Sequence, residues 1–365
     1  WLSWDHPNMP WDGSELKLAR VAFPEGGLPI LTSIVTVAGG PDVATYQPIF
    51  SRDGSFLLYA SDEGGWWHVY RRDLASAETK RMSAGPGEFG EPAWNQGMHR
   101  IAVTAAGRVT ATRTEHAHHH LTVAEPGGEL RDRPGLHEGY TFLNAPAAHP
   151  SDERLALVAA AGDQPPRVVV VDLQSPGQAS ARRLSASESV PRSELGKPEH
   201  VSWTSFDGEQ AHGLYYAPAS ASCEWEGAPP LVVVAHGGPT SMVAANWDPQ
   251  AQFFATRGYA VLLPNYRGST GYGREYMLKL RRSWGLYDVR DCQTGAQAMS
   301  ERGLADASRL VIMGGSAGGY TVLQSLVDLP GFYRAALCLF GVSNQFTLVA
   351  DTHKFEERYS DSLLG

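Results

Sequence analysis

The sequence MGGSAGGY occupies residues 313–320, after the apolar segment RLVI and before the helix-like segment TVLQSL. A serine between a strand and a helix, with glycines two residues before and two residues after it, is typical of a nucleophile elbow. Such a turn strains the backbone of the serine, and the chain passes so close to Gly314 and Gly318 that neither position has room for a side chain. The stretch therefore predicts Ser316 as a nucleophile on a sharp strand-to-helix turn.

A second motif lies upstream, where LVVVAHGGP at residues 231–239 reads as a buried strand that runs into a glycine-rich loop. In α/β-hydrolases one oxyanion-hole N–H comes from such a loop and another from the residue after the nucleophile. We therefore predict Gly238 and Ala317 as the two donors. An unrelated turn after a core strand is the alternative, and the order of the two motifs disfavours it.

The segments around these motifs alternate between helix and strand. Asp248 and a proline after it predict a helix start, and residues 259–263 and 334–340 read as buried strands. A second helix is predicted over residues 288–302, with these residues on one face: Val289, Cys292, Ala296 and Met299. The alternation predicts an α/β-hydrolase domain with a parallel-sheet core.

Upstream of Lys197 the pattern changes to short alternating segments separated by turn residues. Residues 48–60 read as strand, turn and strand, and similar beginnings recur at residues 92–94 and 148–158. A period in the forties to fifties with several strands per unit is typical of a β-propeller. We predict incomplete propeller blades over residues 1–195, about four of them, and a partial α/β-hydrolase domain over residues 196–365.

Composition excludes several classes of protein. The formal net charge of −9 and the lack of basic runs disfavour a nucleic-acid partner, and no segment approaches a membrane span. Cys223, Cys292 and Cys338 have no metal-like spacing and are predicted to be reduced in a cytoplasmic compartment. No metal or cofactor is predicted, a homo-oligomer stays open, and a targeting segment would lie before Trp1.

The assembled motifs resemble the prolyl oligopeptidase family of serine peptidases, in particular its acylaminoacyl-peptidase and dipeptidyl-peptidase-like branch. The resemblance covers nearly the whole chain and is most specific at HGGPT (236–240), NYRGSTGYG (265–273) and GGSAGGY (314–320). The segment WDHPNMPWD at residues 4–12 also resembles a propeller segment of this family. The resemblance implies an active site in the cavity between propeller and hydrolase domain, and short or N-blocked peptides as substrates.

The resemblance also implies roles for individual residues. Ser316 would be the acylating nucleophile, and the amides of Ala317 and Gly238 would hold the oxyanion. Phe355, in the segment FEERY, matches an aromatic wall of the pocket for the residue before the cleaved bond. A core aromatic on a helix face is an equal alternative for Phe355.

The chain departs from the family pattern after the nucleophile. The order in this fold is Ser, Asp, His, yet the only histidine after Ser316 is His353, two residues after Asp351, in a segment that precedes the family's triad Asp and His. A serine without an imidazole is a poor nucleophile. The chain as given is therefore expected to be inactive and to be a fragment whose triad Asp and His are missing.

Two other functions stay open. A carboxylesterase or other acyl hydrolase could use the same elbow, since a fold does not fix a function. A catalytically inert propeller scaffold is the interpretation if the protein ends at Gly365.

Two further motifs have plainer interpretations. His116, His118 and His120 would share one side of an extended strand and could bind a metal, but a surface strand of a blade is favoured. The segment GSTGYG at residues 268–273 lacks the Gly-Lys-Ser/Thr ending of a phosphate-binding loop, and the family resemblance makes it a structural loop near the active site.

Overall fold

The computed structural model describes residues 1–175, 179–186, 190–220, 224 and 226–365. Four antiparallel sheets come first along the chain, and one mixed sheet with helices follows them. This arrangement confirms the predicted fold class, a partial β-propeller followed by a partial α/β-hydrolase.

Each antiparallel sheet consists of strands that are consecutive in the chain. The first sheet contains three strands: β1 (Leu2–Ser3), β2 (Glu15–Ala22) and β3 (Ile30–Gly39). The second contains β4 (Thr45–Phe50), β5 (Phe56–Ser61), β6 (His68–Asp73) and β7 (Thr79–Arg81). The third contains β8 (Ile101–Val103), β9 (Val109–Glu115), β10 (His118–Ala124) and β11 (Arg131–Asp132). The fourth contains β12 (Phe142–Ala148), β13 (Arg154–Ala161), β14 (Gln164–Asp172) and β15 (Ser180–Leu184).

Hydrophobic side chains fill the space between successive sheets. Leu16 on β2 packs with Leu57 on β5, and Leu58 on β5 shares a second cluster with Ile101 on β8. Leu121 on β10 belongs to a third cluster, with Leu155 on β13. Each sheet thus buries one face against the next, which is the packing of propeller blades.

The mixed sheet has six strands in the order β16-β17-β19-β18-β20-β21. These strands are β16 (Pro198–Thr204), β17 (Gln210–Tyr216), β18 (Leu231–Ala235), β19 (Ala260–Asn265), β20 (Leu310–Gly315) and β21 (Ala335–Leu339). The four strands β19, β18, β20 and β21 are parallel to one another. Strand β17 pairs in antiparallel orientation with both β16 and β19. The carboxyl ends of β18 and β20 therefore lie side by side, where the two sequence motifs meet.

Six α-helices belong to the mixed-sheet part of the described chain: α1 (Pro249–Ala255), α2 (Arg274–Leu278), α3 (Tyr287–Glu301), α4 (Ala317–Asp328), α5 (Gln345–Asp351) and α6 (Tyr359–Leu364). The predicted cap of α1 is confirmed, because the Asp248 carboxylate accepts hydrogen bonds from the amides of Gln250 and Ala251. The predicted face of α3 is also confirmed, since its four apolar residues are fully buried.

Two of the three cysteines lie among the described residues. Cys292 is buried in α3, Cys338 is exposed on β21, and both are free thiols. Cys223 lies outside the described residues. None of the described helices is long and apolar enough to cross a membrane.

A stack of aromatic rings joins the third antiparallel sheet to the mixed sheet. His116 lies at the turn between β9 and β10, 4.7 Å from the ring of His200 on β16. The rings of His200 and His212 are 5.5 Å apart, and Tyr272 stacks on His212 at 4.4 Å. One ring nitrogen of His200 and one of His212 are buried without a hydrogen-bond partner among the described residues. This contact between the two parts of the molecule therefore favours the neutral form of the His200 and His212 imidazoles.

The idea that three histidines share one side of an extended strand does not hold. His116 and Ala117 have positive φ angles of 49° and 64°, so they form the hairpin turn, and only His118 and His120 belong to β10. Among the described residues no group of three His, Cys, Asp or Glu side chains is arranged to hold a metal ion.

Acidic pH is expected to destabilise the folded protein at the aromatic contact between the antiparallel sheets and the mixed sheet. Burial, with a smaller effect of His116, lowers the pKa of both His200 and His212 from 6.5 to about 4. The unfolded chain therefore binds more protons than the folded protein as the pH falls from 6.5 to about 4. The folding equilibrium constant should drop by up to about tenfold per pH unit for each histidine.

Urea unfolding at pH 7 and pH 5 measures this effect. We expect a lower midpoint at pH 5, and a smaller difference between the two pH values in the double variant His200→Phe/His212→Phe. His353, which is exposed, provides the control variant His353→Gln, expected to keep the wild-type pH dependence. Equal pH dependence of wild type and double variant would contradict the prediction.

Candidate active site

The nucleophile elbow has the predicted strained geometry. Ser316 lies between β20 and α4 with φ 56° and ψ −123°. A Cβ atom added at Gly314 would lie 2.5 Å from the carbonyl oxygen of Gly318, and one added at Gly318 would lie 2.1 Å from that of Ala235. The two glycines are therefore required by the close approach of three chain segments, as the motif predicts.

The glycine-rich loop after β18 lies against the serine. A Cβ atom at Gly237 would be 3.6 Å from the Cβ atom of Ser316. Gly238 has a φ of 124°, which favours glycine, and it lines a cavity of about 70 Å³ together with Ser316 and Ala317. Among the described residues, no acceptor takes a hydrogen bond from the amide of Gly238 or Ala317. The structure thus brings the three predicted residues together, with both amides free to donate.

His236 has a structural position that the sequence analysis did not assign. Its Nε2 atom lies 2.8 Å from the Ser269 hydroxyl, its Nδ1 atom 2.8 Å from the carbonyl oxygen of Gly237, and its ring stacks on Tyr266 at 4.3 Å. Burial lowers the pKa of His236 to about 4. This histidine therefore joins the glycine-rich loop to the loop after β19 and is held neutral.

No imidazole is hydrogen-bonded to the Ser316 hydroxyl within the described part of the chain. His353 is exposed, and its Nε2 atom lies 4.0 Å from the carboxylate of Glu356. The Asp351 side chain lies outside what the structure describes. His353 is thus not assembled into a triad with Ser316 here.

Phe355 lies in an aromatic cluster. Its ring centroid is 6.0 Å from that of Trp4 and 6.2 Å from those of Trp11 and Trp94. The cavity beside Ser316 is lined from the same segment by Glu356 and Tyr359 and not by Phe355. Phe355 therefore packs against a core cluster and contacts tryptophans of the antiparallel-sheet part, which agrees with the core-aromatic alternative except that Phe355 lies outside a helix.

The loop after β19 is fixed to the antiparallel sheets. Glu88 accepts hydrogen bonds from the amides of Gly273, at 2.9 Å, and Trp67, at 2.8 Å, and burial raises its pKa to about 7. The Arg274 guanidinium pairs with the buried carboxylate of Asp62. The amide of Thr270 in the same loop donates to the carbonyl oxygen of Ser241 at 2.9 Å. The glycine-rich loop is thus connected to the antiparallel sheets through protein contacts.

A strained serine on a strand-to-helix turn, with two free amides beside it on a parallel sheet, defines an α/β-hydrolase with a serine nucleophile elbow. Residues 245–364 match the model of the prolyl oligopeptidase family, Peptidase_S9. This part of the chain, which contains Ser316, is therefore assigned to that family of serine peptidases.

Individual relatives agree with this assignment. The chain is 34% identical over 150 residues to the acylamino-acid-releasing enzyme of Arabidopsis thaliana, a match that covers 40% of the chain and 20% of the relative. It is 28% identical over 367 residues to dipeptidyl aminopeptidase BIII of Pseudoxanthomonas mexicana, covering 95% of the chain and 51% of the relative.

Among solved structures, a puromycin-hydrolyzing peptidase of Mycobacterium tuberculosis is similar over the whole chain. The TM-score is 0.91 at 32% identity, and the match covers 100% of this chain and 55% of the other. The chain thus spans about half the length, or less, of these relatives.

Proposed function

We propose that the full-length protein hydrolyses short or N-blocked peptides through an acyl-enzyme on Ser316. The observation that carries the proposal is the meeting of the strained Ser316 with the free amides of Gly238 and Ala317 at one cavity. Because the chain spans about half of its longest-matching relatives, the proposal concerns the activity of the whole protein.

The geometry supports a two-step acyl transfer. The Ser316 Oγ atom would attack the carbonyl carbon of the scissile peptide bond, and the carbonyl oxygen would become a tetrahedral oxyanion. The amides of Gly238 and Ala317 would donate to that oxyanion. A general base of the full-length protein would take the serine proton and pass it to the leaving amine. Water would then attack the ester carbonyl and release the acid product and Ser316.

The substrate class rests on relatives and on the position of the site. The relatives are named an acylamino-acid-releasing enzyme, a dipeptidyl aminopeptidase and a puromycin-hydrolyzing peptidase. The proposed propeller over residues 1–195 contributes Trp94 and Glu88 to contacts with the loops around Ser316. Such a cover would admit short peptides more readily than folded proteins.

A fluorophosphonate probe tests the proposal. We expect one adduct on the full-length protein by intact mass, mapped to Ser316, together with cleavage of an N-acetyl-aminoacyl p-nitroanilide. Heat-denatured protein serves as the control and should stay unlabelled. Cleavage of a p-nitrophenyl ester without any amide cleavage would instead identify a carboxylesterase, and absence of an adduct would favour an inert scaffold.

A further inference from the structure

Thr240, two residues after Gly238, is held through all of its polar groups. Its amide donates to the Tyr359 hydroxyl at 3.0 Å, and its own hydroxyl lies 2.6 Å from the same oxygen. Its carbonyl oxygen accepts a hydrogen bond from the Trp94 indole Nε1 at 2.9 Å. One residue of the glycine-rich loop is therefore fixed by two side chains that are distant in sequence.

The two side chains come from different parts of the molecule. Tyr359 begins α6 next to the mixed sheet and is 6% exposed, whereas Trp94 lies in the loop between β7 and β8. Their ring centroids are 5.7 Å apart in an edge-on arrangement. Trp11, from the segment WDHPNMPWD, packs on Trp94 at 4.5 Å and on Tyr359 at 5.7 Å. The hydrogen bonds to Thr240 thus start from a rigid, largely buried aromatic cluster.

An oxyanion hole depends on donors that are already oriented before the reaction. Gly237 and Gly238 lack side chains and have wide backbone freedom, so they cannot orient the Gly238 amide by themselves. Fixing Thr240 just downstream restricts the loop, and a misplacement near 1 Å can cost about 100-fold in rate.

We propose that Trp94 and Tyr359 are positioning residues of the oxyanion hole, which act on the Gly238 amide through Thr240. This inference rests on the proposed function. Trp94 lies in a loop that connects two antiparallel sheets, so the position of those sheets relative to the mixed sheet would affect the rate at Ser316.

Trp11 offers a matched control within the same cluster. It is 1% exposed, more buried than Trp94, yet its indole Nε1 has no hydrogen-bond partner among the described residues. Phenylalanine at either position removes similar ring volume, but only the Trp94→Phe change removes a hydrogen bond to the loop. If packing alone mattered, the Trp11→Phe variant would be affected at least as much.

Steady-state kinetics of the full-length protein with an N-acetyl-aminoacyl p-nitroanilide tests the inference. We expect Tyr359→Phe and Trp94→Phe each to lower kcat about tenfold with KM changed less than twofold. Affinity for a peptide boronate, which forms a tetrahedral adduct with serine, should fall in parallel. Trp11→Phe should lower Tm while kcat stays within twofold of wild type. Equal kcat in the Trp94→Phe and Trp11→Phe variants would overturn the proposed role of Trp94. A wild-type kcat in the Tyr359→Phe variant would overturn the proposed role of Tyr359.

Amide hydrogen exchange separates this inference from the proposed function. If the wild-type protein has no activity that depends on Ser316, the proposed function fails, but exchange in a peptide covering residues 237–243 still reports on the loop. We expect faster exchange in the Tyr359→Phe and Trp94→Phe variants and wild-type exchange in Trp11→Phe. Unchanged exchange in both of the first two variants would overturn the inference.

Discussion

Replacing Ser316 by alanine is expected to lower kcat of the full-length protein by about 10⁶-fold, the loss typical of removing the nucleophile of a serine peptidase. The variant should keep the elbow, because alanine lacks only the hydroxyl group, and the two free amides would still donate to the carbonyl of a substrate. KM should therefore change little. The measurement is steady-state hydrolysis of an N-acetyl-aminoacyl p-nitroanilide, with an active-site titration to exclude contaminating wild type.

Ser325 provides the control on the same helix. It is buried in α4, and its hydroxyl donates to the carbonyl oxygen of Thr321 at 2.7 Å, so the Ser325→Ala variant loses a buried hydroxyl without touching the cavity. Its kcat should stay within about twofold of wild type, since a lost hydrogen bond of this kind affects stability and not the reaction. More than 1% of wild-type kcat in the Ser316→Ala protein would argue against the acyl-enzyme.

The elbow and its sheet could be predicted from the sequence because their causes are local. The close approach at Gly314 and Gly318 excludes side chains, and the cap at Asp248 is made with the residues directly after it. The predicted strands 259–263 and 334–340 correspond to β19 and β21, with boundaries that differ by one or two residues. Patterns of glycine, capping residues and apolar runs are sufficient for such elements.

The contacts that complete the site could not be predicted in this way, since they join residues far apart in the chain. The prediction that residues 92–94 begin a blade strand like residues 48–50 is wrong, because residues 92–94 lie outside the strands while β4 includes 48–50. Trp94 instead donates to Thr240, 146 residues away. The repeat pattern predicts what the blades share, whereas Trp94, which contacts the hydrolase part, lies where the structure departs from that repeat.

The Arg267→Met variant is expected to lower the free energy of unfolding by about 3–5 kcal/mol, the cost typical of leaving one member of a buried ion pair without its partner. Arg267 is fully buried in the loop after β19, and its Nη2 atom donates to the Asp291 carboxylate at 2.7 Å. Asp291, on α3, is fully buried as well and would stay behind as an uncompensated carboxylate. Urea unfolding at pH 7, followed by tryptophan fluorescence, measures the loss.

The ion pair between Lys279 and Glu209 is a partly exposed control for the buried Arg267–Asp291 pair. Its ammonium lies 2.7 Å from Glu209, which also contacts Arg267, but both side chains of the Lys279–Glu209 pair are partly exposed. The Lys279→Met variant should therefore lose less than about 1 kcal/mol. Removing both fully buried charges, in Arg267→Met/Asp291→Leu, should recover part of the loss, because the carboxylates that still lose Arg267, Asp207 and Glu209, are partly exposed. A loss in Arg267→Met no larger than in Lys279→Met would contradict the prediction.

Arg267 lies close to the glycine-rich loop, so a loss of stability around Arg267 should also affect catalysis. The residue before it, Tyr266, stacks on His236 and donates to the carbonyl oxygen of His236 at 3.0 Å, directly before Gly237. A loop that loosens at Arg267 would therefore free one side of the glycine-rich loop, whose other side contacts Trp94 and Tyr359 at Thr240. We expect the Arg267→Met variant to lose kcat at temperatures well below its Tm, whereas the Lys279→Met variant should not.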